Sequence, residues 1–171
     1  ILDSEGKKSA LFDGVTAVDQ MLSTLSPYLA NTDSVAVYHT DGKNGNKLPA
    51  DFCLNTTGSY VVSVMRDRTD GQEYLVVVNK SFRKEMTADF TVVGNSLDLS
   101  AVTDITSGTP TALKKNGNGF SLSLKAGGLA VLQFPQGYSA LPAADQKDGK
   151  NLLPDNHVIM EIKVPGAYPL W

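Results

Sequence analysis

The sequence predicts an all-β fold, an antiparallel β-sandwich preceded by one amphipathic helix, and three observations carry that prediction. The hydrophobic period changes once, from 3.6 to 2, near residue 33. Short alternating runs then follow one another, separated by Gly, Asn and Asp turns. The two strongest runs form a hairpin so rich in β-branched residues that both of its faces must be covered.

The helix comes first. From Phe12 to Ala30, apolar residues fall at Phe12, Val15, Val18, Met21, Leu22, Leu25 and Leu29, the three-and-four spacing of one face. Asp13 stands as N-cap or first-turn acid, and Asn31 marks the stop. Pro27 lies inside the pattern and predicts a kink or break near Ser26. Each buried large apolar side chain contributes about 1.5–3 kcal/mol, while ordering each residue costs about 1–2 kcal/mol. A helix of this length therefore needs a docking partner: the β-domain, a further domain, or another copy of the chain.

The strands follow in order. Ser34–Thr40 is a short apolar strand, and the run Asp41–Lys47 after it is too polar to be buried. Tyr60–Arg66 and Glu73–Asn79 form the hairpin, with Asp70-Gly71 supplying the positive φ of its connection. Met86–Val93 alternates, Val102–Thr106 ends at the turn Ser107–Pro110, and Thr111–Leu113 is a brief edge. Asn116–Gly119 turns the chain into Phe120–Lys125, and Gly127-Gly128 leads into the closing strand Leu129–Phe134. Strands at this spacing indicate a sandwich or barrel rather than a βαβ sheet. The chain thus divides into an N-terminal segment over 1–33, a sandwich over 34–135 and a linker-like tail over 136–171. In the tail, His157–Val164 adds a candidate edge strand, with Val158, Met160, Ile162 and Val164 on one face.

Composition narrows the function classes. With 42% hydrophobic and 19% charged residues in 171, the chain is globular and long enough for one core. A formal net charge of -3 gives no footprint for nucleic acid. The basic spots Lys7-Lys8, Arg83-Lys84 and Lys114-Lys115 read as solvated surface. The lone Cys53 closes no intrachain disulfide and builds no thiolate metal site. No apolar stretch reaches the roughly 18–20 residues a membrane helix needs. The start at Ile1-Leu2-Asp3 has neither Met nor a leader pattern and reads as a cut.

No residue pattern predicts catalysis, a metal or a cofactor. Asp67 and Asp70 lie in a hairpin connection, where Asp serves turn geometry. Glu161 and His157, an acid–base pair or metal half-site by residue type, share one face of a strand and read instead as an exposed edge. His39 at the end of a strand is a candidate to orient a sugar hydroxyl or carboxylate and reads instead as a hydrogen-bonded boundary residue. Asn55-Thr-Thr57 and Asn79-Lys-Ser81 match the glycosylation sequon. Sugar binding needs exposed aromatic faces, and Trp171, Tyr168 and Tyr138 in the tail are the candidates; their competing role is to anchor the tail.

The segment Leu2–Phe12 with its helix and Ser34–Thr40 resembles the end of the catalytic (β/α)8 barrel of glycoside hydrolases of the β-galactosidase and α-amylase-like clans. The strand Tyr74–Lys80 and the pair Gly119–Leu124 and Gly127–Leu132 resemble the β-sandwich that follows such barrels. The resemblance runs from about Leu2 to Phe134 and rests on strand and turn patterns, not on chemistry. It implies a secreted or periplasmic carbohydrate-active parent whose catalytic carboxylates precede Ile1. No residue here matches the family's catalytic motif, so none is carried over. The expected role is a non-catalytic C-terminal accessory domain supporting the preceding barrel of the same polypeptide, with polysaccharide as a further partner and neither nucleic acid nor membrane. The alternatives are a carbohydrate-binding module and an immunoglobulin-like module that recognises protein.

Overall fold

The computed structural model describes residues 2–142 other than 3, 10, 44, 45 and 95. One helix, α1 (Phe12–Leu29), precedes ten strands: β1 (Thr32–His39), β2 (Leu54–Thr56), β3 (Tyr60–Asp67), β4 (Glu73–Asn79), β5 (Met86–Val92), β6 (Thr103–Asp104), β7 (Thr111–Ala112), β8 (Lys115–Asn116), β9 (Gly119–Leu124) and β10 (Leu129–Gln133). They form a six-stranded sheet ordered β1-β3-β4-β10-β6-β7 and a four-stranded sheet ordered β2-β5-β9-β8, antiparallel throughout. The predicted all-β sandwich with one N-terminal helix is the fold observed.

The hairpin forms as its turn residues require. Gly71 takes φ 73°, and Asp67 Oδ1 accepts from the Thr69 amide at 2.6 Å, closing the connection locally. β4 lies between β3 and β10; its inner face is buried, while its outer face is buried at Tyr74 and only half-buried at Val76 and Val78, so that face is covered in part. On the inner face, Val62, Val64, Leu75, Val77 and Leu132 pack toward Leu54, Phe90, Phe120, Leu122 and Leu124 of the smaller sheet, all within one core cluster. Phe90 and Phe120, cross-strand partners, stack at 5.0 Å between centroids. On the outer face, Tyr74, Val131 and Ile105 meet Leu25 of the helix in a second cluster.

Two elements differ from expectation for identifiable reasons, and a third settles an alternative. The helix runs unbroken through Pro27, because Pro27 sits in its last turn, where one lost backbone bond is offset by docking of Tyr28 and Leu29. Asp13 is the first-turn acid, one of the two roles expected of it, while Leu11 stands at the N-cap and provides no side-chain cap. The closing strand β10 is central, between β4 and β6, because the chain past Thr103 turns back outside it.

Packing also runs past the boundary drawn at Pro135. Ala140 and Leu141 belong to the inter-sheet core, with Tyr138 packed against it. His157–Val164 lies outside the described residues.

Candidate functional site

Polar side chains gather at the two ends of β4. At its start, Glu73 is almost fully buried. Its Oε1 accepts from Arg66 Nη2 at 2.6 Å, Arg66 Nε at 3.0 Å and Ser139 Oγ at 3.3 Å, and its Oε2 accepts from the Ala140 amide at 2.7 Å. Neighbouring Gln72 donates through Nε2 to the carbonyls of Glu73 and Phe134. Bonded to four donors and buried, this carboxylate holds residues 139–140 in place and is closed to a substrate.

At the far end of β4, Asn79 is buried and donates through Nδ2 to the carbonyls of Lys84 (2.8 Å), Leu124 (3.2 Å) and Lys125 (2.9 Å). Its Oδ1 accepts from the Ser81 amide at 2.8 Å. The amide is thus fully engaged, and the Asn79-Lys-Ser81 sequon presents no free nitrogen to a glycosyl donor; Asn55, of the other sequon, is exposed on β2. Beside it, Asp41 accepts from Lys80 Nζ with both oxygens at 2.9 Å and from Ser59 Oγ at 2.7 Å. The Lys80 ammonium, Ser59 and the Lys43 amide hold the Asp41 carboxyl far below the usual carboxylate range. So firmly anionic a group is a poor general base, and the trio ties three loops together instead.

The remaining sequence candidates separate. Asp67 is kept anionic chiefly by the Thr69 amide, and Asp70 Oδ1 accepts from the Gln72 amide at 2.9 Å; both serve the turn. The His39 main chain is fixed by the Asn46 carbonyl at 2.7 Å, while its Nδ1 is buried without a partner among the described residues. Tyr138 is half-buried, its ring tilted against Phe134 at 5.3 Å, and burial pushes its phenol up. Burial likewise pushes the Cys53 thiol up to about 12. Trp171, Tyr168, His157 and Glu161 lie outside the described residues.

Hydrolysis of a glycoside needs two carboxylates facing each other roughly 5–10 Å apart across a substrate. Asp33, Asp41 and Glu73 instead pair with Arg68, Lys80 and Arg66, Asp67 and Asp98 bond local backbone amides, and Glu85 accepts from Ser123 Oγ. Among the described residues, no group of three or more His, Cys, Asp or Glu is placed to hold a metal ion. No described helix is long and apolar enough to cross a membrane.

Two surface features went unread in the sequence. The helix docks only by its C-terminal half, through Met21, Leu25, Tyr28 and Leu29, where Tyr28 also donates to the Gly108 carbonyl at 3.1 Å. Leu11, Val15, Val18 and Leu22 are exposed, and their spacing of four, three and four aligns them in one stripe. Phe82, in the β4–β5 connection, is 77% exposed, with the Arg83 guanidinium 5.0 Å from its ring centroid. Its signal was an aromatic flanked by Ser81 and Arg83-Lys84, outside any alternating run.

No protein-family model matches the chain, and no curated protein matches it. A crystal structure from Bacteroides fragilis NCTC 9343, described as that of a candidate alpha-galactosidase/melibiase, is similar at 23% identity with a TM-score of 0.34. The match covers 51% of this chain and 16% of that one, so this chain corresponds to a small part of that protein's length.

Proposed function

We propose that this chain is a non-catalytic accessory β-sandwich of a glycoside hydrolase, acting outside the cytoplasm and bracing a catalytic barrel that precedes it in the polypeptide. The observation that carries the reading is the half-docked helix. Leu11, Val15, Val18 and Leu22 form an apolar stripe of the kind that marks a protein contact. The bare half is also the half by which the chain enters the sandwich, so a domain ahead of it would lie against that stripe. The engagement of Asp33, Asp41, Asp67, Glu73, Glu85 and Asp98 by cations, hydroxyls and backbone amides supports a mechanical rather than a chemical role, and the sequence resemblance suggests the family.

The test has two arms. Chromogenic glycosides incubated with this chain should show no turnover; turnover abolished by substituting one of its own carboxylates would overturn the reading. Replacing Val15, Val18 and Leu22 by Ser should leave the melting temperature of this chain nearly unchanged, because these side chains are already solvated. In the polypeptide that carries the preceding barrel, the same replacement should lower the barrel's melting temperature. An unaltered barrel would refute the bracing role.

A further inference from the structure

One end of the sandwich is a knitted, basic surface with one exposed aromatic. Register places the C-terminal ends of β1, β4 and β9 and the N-terminal ends of β3, β5 and β10 together, since His39 pairs with Val61, Tyr60 with Asn79, Val78 with Leu129 and Met86 with Leu124. The loop segments 40–43, 46–47, 57–59, 80–85 and 125–128 therefore meet at this end. Side chains and backbone lock them to one another. Asp41 holds Ser59 and Lys80, Asn79 holds the carbonyls on either side of the turns, and the Gly127 amide donates to the Ser81 carbonyl at 2.7 Å. Ser81 Oγ also accepts from the Lys84 amide at 3.0 Å, which fixes the backbone on both sides of Phe82.

The charge on these loops runs against that of the whole chain, which is formally -3. They carry Lys43, Lys47, Lys80, Arg83, Lys84 and Lys125. Only two carboxylates stand among them: Asp41, held by Lys80, and Glu85, which accepts from Ser123 Oγ at 2.8 Å. Lys43, Lys47, Arg83, Lys84 and Lys125 are exposed. A preorganised loop loses little conformational freedom on binding, so an aromatic displayed on it contributes most of its contact energy to a ligand.

We propose that this end binds an acidic polysaccharide, a uronate-bearing glycan: the C–H face of a sugar ring stacks on Phe82, and carboxylates meet Arg83, Lys84 and their neighbours. A single, largely exposed ring suits one pyranose face. Single-stranded nucleic acid is held instead by a charged groove with several rings in succession. This surface goes beyond the bracing role and fails separately from it, because the helix variants leave the loops untouched and the loop variants leave the helix untouched.

The test is calorimetric titration of the full chain with polygalacturonate, galactomannan and oligo-dT. Polygalacturonate should bind, more weakly as salt rises from about 0.05 to about 0.3 M, and galactomannan and oligo-dT should not. Phe82→Ala should weaken binding by roughly three- to tenfold without lowering the melting temperature, and the double variant Arg83→Gln/Lys84→Gln should weaken it and flatten its salt dependence. Absence of polygalacturonate binding, or binding indifferent to both variants, overturns the proposal. Equal binding of galactomannan removes the acidic selectivity and overturns it as well. Equal binding of oligo-dT with the same dependence on Phe82 replaces the glycan by a nucleic acid.

Discussion

Leu22 and Leu25 are the same residue three positions apart on one helix, yet Leu22 is 58% exposed and Leu25 is 3% exposed. Substituting each by Ala therefore measures the docking of the helix with an internal control. Leu25 meets Tyr74, Ile105 and Val131 on the outer face of the six-stranded sheet. Removing its buried methyl groups should cost about 2–4 kcal/mol, the transfer term plus the cavity left between helix and sheet. At the size of this domain that lowers the melting temperature by roughly 2–4 °C per kcal/mol. Leu22→Ala should stay within about 0.5 kcal/mol of the parent. The penalty at Leu25 also has a ceiling, because the inter-sheet core does not include the helix. Once the loss exceeds the energy of docking, the helix leaves the sheet and the sandwich remains folded. That state would show as faster amide exchange over Phe12–Leu29 with unchanged protection of β3 and β4, and as loss of the near-ultraviolet signal from the edge-on pair Tyr28–Tyr74, whose centroids lie 6.4 Å apart. Equal effects at Leu22 and Leu25 would refute the half-docked arrangement.

Three further outcomes follow from the polar interior. Glu73→Gln keeps the volume but removes the charge that pairs with Arg66, and should cost about 2–3 kcal/mol in urea unfolding, toward the low side for a buried pair because Arg66 reaches solvent; a loss under about 0.5 kcal/mol would deny that this carboxylate pins residues 139–140. Cys53, buried and with its thiol pushed up to about 12, should resist thiol reagents at pH 8 until the domain unfolds, and rapid labelling of the native chain would contradict its burial. The folded pKa of Asp41 lies below its unfolded value, so its stabilising contribution is complete above about pH 4 and is lost as pH falls through the lower folded value. The stability gap between the parent and Asp41→Asn should accordingly hold from pH 7 to about pH 4 and narrow below it, and a gap that widens in acid would reverse the sign of this argument.

The fold was legible where one physical signal dominated. The β-branched runs of β3 and β4 and the Asp70-Gly71 turn could take few other forms, and the alternation of β5 and β9 placed Phe90 and Phe120 on the inner face. The strands that escaped notice, β2 and β8, are three and two residues long and owe their state to neighbours in the sheet. β8 pairs Asn116 with Gly119, where a Cβ would collide with the Phe90 carbonyl oxygen, so only a bare α-carbon permits that approach. The site was less legible because exposure is a tertiary property. The helical period marked Val18, Leu22 and Leu25 alike as apolar, and only the position of the sheet decides which of them it covers. Tyr138 illustrates the converse: a tail aromatic by sequence, it packs against Phe134 because Glu73 draws Ser139 and Ala140 inward.

The placement of Glu73 and Asn79 explains why the sandwich has one register. Both are buried polar residues, and they are the first and last residues of the central strand. Each would be costly if left without partners, and each finds its partners on a different closure of the sandwich, residues 139–140 at one end and 84, 124 and 125 at the other. The apolar run Leu75–Val78 between them is nearly uniform, so hydrophobic burial alone discriminates weakly between pairings shifted by two residues, which keep the same faces inward. A two-residue shift would carry Glu73 away from Arg66 and Asn79 away from the turn carbonyls at once. The polar pair therefore supplies the specificity that the valines lack, and because it fixes Asn79, it also fixes the loop on which Phe82 stands.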